Sequence, residues 1–242
     1  MQQRLFGTAI GGRGGLILQQ ATHNGRDNIT LQTGGDIPFA EGDLVEAELL
    51  PRRGHLGKRA RVIDNLGPAD SPGAFSALAI AENDIPHVFD AQTIAETDGL
   101  KVPPAKGRSD MRALPFVTID GDDAHDFDDA VLATPLEGGG WEIRVAIADV
   151  SHYVLPGSAL DAEARKRGNS VYLPDRVVPM LPETLSNDLC SLRPNEPRAA
   201  MVAIITMDEN GDVTSHSFER ALIRSVCLLY TSDAADEGLG VD

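Results

Sequence analysis

Between Asp120 and Asp129 six of ten residues are aspartates, in the order Asp-Gly-Asp-Asp-Ala-His-Asp-Phe-Asp-Asp. No other stretch restricts the fold so strongly. Crowding like charges disfavours the ionised state and raises some carboxyl pKa values unless cations neutralise them. The flanks sharpen the constraint. Leu114–Ile119 is a β-rich apolar run that ends directly on Asp120, and Ala130–Ala133 resumes an apolar strand. Glu142–Val150 reads as the next strand, after the turn at Gly138–Gly140. The acids therefore lie on a loop gripped between two strands, with Gly121 permitting a sharp turn.

Hard divalent cations with oxygen ligands relieve such crowding, and Mg2+ combines a few carboxylates with waters and substrate phosphates. A pair of such ions can activate a water on one side of a phosphodiester and stabilise the leaving oxygen on the other. Other readings fit less well. A solvated acidic loop is the usual meaning of a charge run, but apolar strands on both sides argue against it. An EF-hand fails on spacing: with Asp120 as position 1, position 6 is His125 rather than Gly and position 12 is Val131 rather than Glu. A phosphatase-type Asp-x-Asp at Asp126–Asp128 fails because no apolar strand runs directly into Asp126. Metal-assisted phosphoryl chemistry survives.

Composition sets the remaining bounds. The 242 residues are 42% hydrophobic, too apolar for an intrinsically disordered chain. No apolar run approaches the ~18–20 residues of a membrane span, so no membrane partner is expected. Met1–Gly11 lacks the charged start and apolar stretch of a secretory signal. Two cysteines cannot build a disulfide framework, and the chain reads as cytoplasmic. With 21 Lys and Arg against 37 Asp and Glu, the formal net charge is −16. That balance argues against simple coating of a duplex, which needs basic side chains. It does not exclude an acidic, metal-binding active site.

Residues 1–66 are nearly charge-balanced, with 8 basic and 7 acidic side chains. Short alternating runs recur there at Leu5–Ile10, Gly15–Gln19, Asn28–Gln32, Asp43–Leu50 and Lys58–Ile63. Between them stand the turn signals Gly11-Gly12, Gly14-Gly15, Asn24-Gly25, Gly34-Gly35 and Gly54. Five short strands without helical period suit a Greek-key barrel of the OB type. The basic stretch Pro51–Arg61 would join its last two strands, a loop on which such barrels grip nucleic acid. With only Phe6 and Phe39 as aromatics, the barrel suits an auxiliary RNA contact rather than a self-sufficient binder. Residues 67–107 form a connector with short helices near Ala74–Ala81 and Asp90–Thr97. A further helix is expected at Ala159–Arg167, with Ser158 as N-cap, Asp161 completing a capping box and Arg165, Lys166 and Arg167 complementing the dipole.

Three ordered runs carry a family resemblance. They are Thr118–Val131, then Ile147-Ala-Asp-Val-Ser-His-Tyr-Val154, and then Ser170-Val-Tyr-Leu-Pro174 through Val178–Glu183 to Leu185–Leu192. Together they resemble the ribonuclease II/ribonuclease R (RNB) family, and the Gly-rich barrel and Leu66-Gly67-Pro68 junction resemble its ribonuclease R branch. His125 stands where many relatives have Arg, a departure that leaves the carboxylates untouched. The resemblance implies a processive, hydrolytic 3′-to-5′ exoribonuclease acting on single-stranded RNA, Mg2+-dependent and releasing nucleoside 5′-monophosphates, with a monomeric parent enzyme. Carried over by position, it assigns Asp120, Asp126, Asp128 and Asp129 as catalytic and metal-binding. Asp122 and Asp123 are then the solvated members. Tyr172 matches the tyrosine that packs on the 3′ nucleotide; without the resemblance the favoured reading is a half-buried core tyrosine with its hydroxyl satisfied. His152 reads as structural, and Arg193 and Arg198 are candidates for phosphate contact.

The expected architecture is α+β. An OB/cold-shock-like β-barrel at 1–66 and the 67–107 connector precede the first part of a mixed α/β RNB catalytic domain at 108–226. Residues 227–242, beginning Cys-Leu-Leu-Tyr-Thr-Ser-Asp, read as a non-biological tail derived from a sequencing adapter. On this reading the chain is a fragment truncated at both ends. The alternative function is a catalytically incomplete RNA- or metal-binding fragment, with uncovered apolar faces that favour aggregation.

Overall fold

A computed structural model describes residues 4–20, 29–33, 35–51, 57–121 and 124–229. The Asn24-Gly25 turn, Gly34, residues 52–56 of the basic stretch, Asp122, Asp123 and the tail beyond Leu229 lie outside the described residues. In chain order the strands are β1 (Arg4–Gly12), β2 (Gly15–Gln20), β3 (Ile29–Gln32), β4 (Asp43–Leu49), β5 (Arg59–Pro68), β6 (Ser109–Asp110), β7 (Val117–Asp120), β8 (Asp129–Pro135), β9 (Trp141–Ala148), β10 (Val171–Tyr172), β11 (Val177–Val178), β12 (Arg198–Met207), β13 (Val213–Ile223) and β14 (Val226–Leu229). The helices are α1 (Ala74–Glu82), α2 (Ala91–Ala95) and α3 (Ala159–Arg167). Two compact units result, residues 1–87 with 171–178, and residues 88–170 with 179–242.

In the first unit β1–β5 close into a barrel in the order β1-β2-β3-β5-β4, with β3 and β5 parallel. Alternation explains the closure. Leu5, Gly7 and Ala9 of β1 face inward and join Leu18, Ile29, Leu31, Val45, Ala47, Ala60 and Val62 in one apolar core. Gly7 has a packing reason of its own, because a Cβ there would sit 2.1 Å from the Gln19 carbonyl oxygen on β2. Arg4 pairs with Glu46 of β4 and with Asp84 beyond α1, securing the barrel's first strand. β10 and β11, two residues each, pair antiparallel.

The second unit is built on a sheet ordered β14-β7-β8-β9-β12-β13-β6, in which the outermost pairs, β14–β7 and β13–β6, are parallel. Its inner face is lined by small residues in register, Ala148, Ala200 and Ala221. Small side chains let the covering layer approach closely, and Leu160 of α3 with Leu185 and Leu189 of a π turn joins them in the core. The strand that runs into Asp120, β7, begins at Val117, not at the expected Leu114. Pro115 has no N–H to give a ladder, and Phe116 turns fully inward. α3 spans the expected residues, with Ser158 Oγ accepting from the Asp161 N–H at 3.1 Å. The Asp161 carboxylate accepts from Gly157 N–H at 2.9 Å rather than from the cap residue, so the box closes one residue early. α2 is shorter than expected, and Asp90 is its N-cap, accepting from the Thr93 N–H at 2.7 Å.

The opposite face of the sheet is apolar and open. Register sets Asp129, Ile147, Met201 and Arg220 in one row and Val131, Val145, Ala203 and Phe218 in the next. Val117 pairs with Val131, so Ile119 lies on this face too, beside Leu228. Ile119, Ile147, Phe218 and Leu228 are each about half or more exposed. Contiguous apolar surface of this kind drives association. The chain is expected to self-associate with rising concentration in sedimentation velocity, and Ile147→Thr with Phe218→Thr to shift it toward monomer. A concentration-independent wild-type monomer with a sharp cooperative melt would contradict this.

Candidate active site

The acidic run lies where two neighbouring antiparallel strands begin and end. β7 finishes on Asp120 and β8 starts on Asp129. Val117 pairs with Val131 in this antiparallel pair, which sets the end of β7 at Asp120 and the start of β8 at Asp129 at the same end of the sheet. Asp126 lies in the turn just before, between His125 and the buried Phe127. Phe127, in the turn before β8, and Ala130, within it, are both buried in the core, and the acids stand at the sheet's end.

Backbone hydrogen bonds hold the turn. The Phe127 N–H donates to Ser191 Oγ at 3.1 Å, and the Ser191 hydroxyl donates to the His125 carbonyl at 2.9 Å. The Leu192 N–H donates to the Phe127 carbonyl at 2.8 Å, and the Ala148 N–H to the Asp128 carbonyl at 2.9 Å. Ser191 stood in the third sequence run without a role. Nothing local linked it to residues 64 positions earlier, and its one hint was a serine set in the apolar context of Cys190 and Leu192.

The electrostatics follow from the crowding. Asp120 is pushed above the ordinary carboxyl range by desolvation and by the charges of Asp129 and Asp126, with the nearby Thr118 hydroxyl acting against the rise. Asp128 is raised by desolvation and then by Asp126, Asp129 and Asp120. Asp120 and Asp128 both feel the charges of Asp126 and Asp129. Their hard oxygen donors and mutual repulsion suit a divalent cation in chemical terms. Among the described residues no three His, Cys, Asp or Glu side chains stand at ligand spacing around one point. The case for a cation at Asp120, Asp126, Asp128 and Asp129 thus rests on donor type and shared field.

A second acid nearby is treated in the opposite way. Asp149, one residue past β9, is buried and takes an ion pair from Arg108 at 2.7 Å and another from Arg220 at 3.0 Å, with the Ser151 hydroxyl at 2.8 Å. Burial opposes its charge, but Ser151, Arg108 and Arg220 together hold its pKa below the usual range. Glu96, in the 67–107 connector, accepts from the Ala159 and Leu160 N–H groups at 2.9 Å each and so caps α3 alongside Ser158. Neither role was legible in the sequence, because both partners are distant in the chain.

The basic residues of this unit divide between the interior and the surface. Arg198 is corrected outright. It is 3% exposed and its guanidinium is spent on the Asp188 and Ser191 carbonyls, Asp188 Oδ1, Glu196 Oε2 and the Pro197 carbonyl. Arg167 is equally internal, bonded to Glu163 and the Pro179 carbonyl with its guanidinium 3.6 Å from the Phe89 ring centre. Arg193 remains half-exposed, between Asp188 and Glu196. Tyr172, in the first unit, is 65% exposed, which removes the core-tyrosine reading. Cys190 is no nucleophile; burial above all pushes its thiol up to about 12.

Opposite pH signatures are expected from the two kinds of acid. Asp120 and Asp128 have raised folded pKa values, so their stabilising contribution is full below the ordinary carboxyl range and lost as pH rises through those values. In metal-free buffer at neutral pH, Asp128→Asn should therefore raise the melting temperature. Asp149 has a lowered value, so its contribution is present above the unfolded pKa and lost as pH falls. Asp149→Asn breaks a buried pair and should cost about 3–5 kcal/mol in denaturant unfolding.

Comparison with known proteins places these features in a family. The RNB domain matches residues 108–238, more than half of the chain. Ribonuclease R of Vibrio cholerae is 48% identical over 199 residues, which cover 78% of this chain and 24% of the relative's length. Mycoplasma genitalium RNase R in complex with double-stranded RNA superposes with a TM-score of 0.83 at 26% identity, covering 98% of this chain and 42% of that one. The same enzyme in complex with ribose methylated single-stranded RNA gives 0.79 at 28% identity, covering 98% and 38%. The chain thus spans about a quarter of the length of the bacterial relative and about two fifths of the solved chains. With the acidic turn, the Asp149 node and the Ser191 segment all inside the matched residues, the chain belongs to the RNB domain family.

Proposed function

We propose that this chain is part of a ribonuclease R-like hydrolase that degrades single-stranded RNA processively from the 3′ end and releases nucleoside 5′-monophosphates. One observation carries the reading. A turn carrying four acids, of which Asp120 and Asp128 have raised carboxyls, is pinned through its backbone and lies within residues matching the RNB domain. Asp120, Asp126, Asp128 and Asp129 would hold Mg2+, which when bound supplies an activated water and neutralises charge on the phosphodiester. Until then the crowded carboxylates keep a strongly negative local field, which selects a small hard cation over a bulky organic one. The exposed ring of Tyr172 offers a face for base stacking, worth ~1–3 kcal/mol per base in such sites. The reducing cytoplasm is the compartment consistent with two unpaired cysteines.

A second reading is a catalytically incomplete RNA- or metal-binding fragment; the chain spans 24% of the relative's length. The two separate on one assay. A 5′-labelled single-stranded RNA incubated with the chain and Mg2+ should shorten progressively with release of nucleoside 5′-monophosphates. Chelator should stop the reaction, and Asp128→Asn should abolish it while leaving the fold intact. RNA or Mg2+ binding without turnover would select the second reading.

A further inference from the structure

The acids of the turn repel one another and cannot fix their own positions, so something neutral must. We propose that Ser191 is a positioning residue for the cation-binding carboxylates, because one hydroxyl oxygen fixes the backbone on both sides of Asp126. The proposal rests on the reading of the turn as a cation site.

Ser191 Oγ accepts from Phe127 N–H at 3.1 Å and donates to the His125 carbonyl at 2.9 Å. His125 and Phe127 are the residues flanking Asp126. Both peptide neighbours of that aspartate are therefore tied to a single atom. Only a group that donates and accepts through one atom can do this, which a hydroxyl does and an alanine methyl cannot. Ser191 is fully buried, so bulk water is not at hand to replace it. The adjacent Leu192 N–H bond to the Phe127 carbonyl, at 2.8 Å, extends the same clamp toward Asp128.

The clamp is itself held. Arg198 Nε donates to the Ser191 carbonyl at 3.0 Å, and its Nη2 reaches Asp188 Oδ1 at 2.7 Å and Glu196 Oε2 at 2.8 Å. The Ser225 hydroxyl donates to the Leu192 carbonyl at 2.7 Å. A buried guanidinium thus fixes the segment, and the segment's hydroxyl fixes the acidic turn. The chemistry suits the task. A neutral hydroxyl orients the turn without adding a positive charge that would compete with a cation for the carboxylates.

The test uses the full 242-residue chain, with Mg2+ binding followed by calorimetry and exchange of the Phe127 amide by NMR. Ser191→Ala should raise the Mg2+ dissociation constant about tenfold or more and speed Phe127 exchange. Ser191→Thr, which keeps the hydroxyl, should restore much of both. Thr97→Val is the control. It removes a buried hydroxyl that bonds the Ile94 carbonyl at 2.7 Å, and should lower the melting temperature without moving either readout. Unchanged Mg2+ affinity in Ser191→Ala, or equal weakening in Thr97→Val, overturns the proposal. If the wild-type chain takes up no Mg2+, the cation reading fails and the exchange arm decides alone. Faster Phe127 exchange confined to Ser191→Ala then upholds the clamp, and unchanged exchange overturns it.

Discussion

Carboxylates repel, so an all-acid turn stays in one place only if bonds that do not involve the acids hold its backbone. The second unit is arranged around that requirement. Strand pairing of Val117 with Val131 brings the ends of β7 and β8 together, and Phe127 anchors the turn in the core. Ser191, Leu192 and Ala148 then bind the main chain at His125, Phe127 and Asp128. Each of these contacts is uncharged. The carboxylates keep their repulsion, and with it their appetite for a cation.

Elsewhere in the same unit acids are compensated. Asp149 is buried among two arginines and a serine, Glu96 accepts two helix N–H groups, and Asp161 accepts a backbone N–H and pairs with Arg165. Their pKa values fall, whereas those of Asp120 and Asp128 rise. The contrast separates acids that stabilise the fold from acids that cost it stability, and groups of the second kind cluster at functional sites. The net charge of −16 says nothing of this division; only the partners of each acid do.

Much of the architecture was legible because it depends on local pattern. The period-2 runs of the barrel, the strand entering Asp120 and the helix at Ala159–Arg167 with its Ser158 cap all emerge where their residues indicate. Local exceptions had local causes, as Pro115 shows by delaying β7 to Val117. The basic residues were less readable. Arg198 and Arg167 are indistinguishable in a sequence from solvent-facing arginines, yet both are internal, since nothing nearby in the chain names the carbonyls and ring they meet. Tyr172 is the reverse case, a residue whose neighbours allowed burial and whose ring lies in solvent.

By itself the sequence determined where the acids are crowded, that apolar strands flank them, and which family's pattern they follow. Those properties depend on composition and spacing over a dozen residues. Which acid receives arginines, and that a serine 64 residues away ties down the turn, were decided by the tertiary structure alone. The reason is physical. Register across a sheet and the partners of a buried polar group are set by the packing of segments far apart in the chain, and no local preference of the residues encodes that meeting.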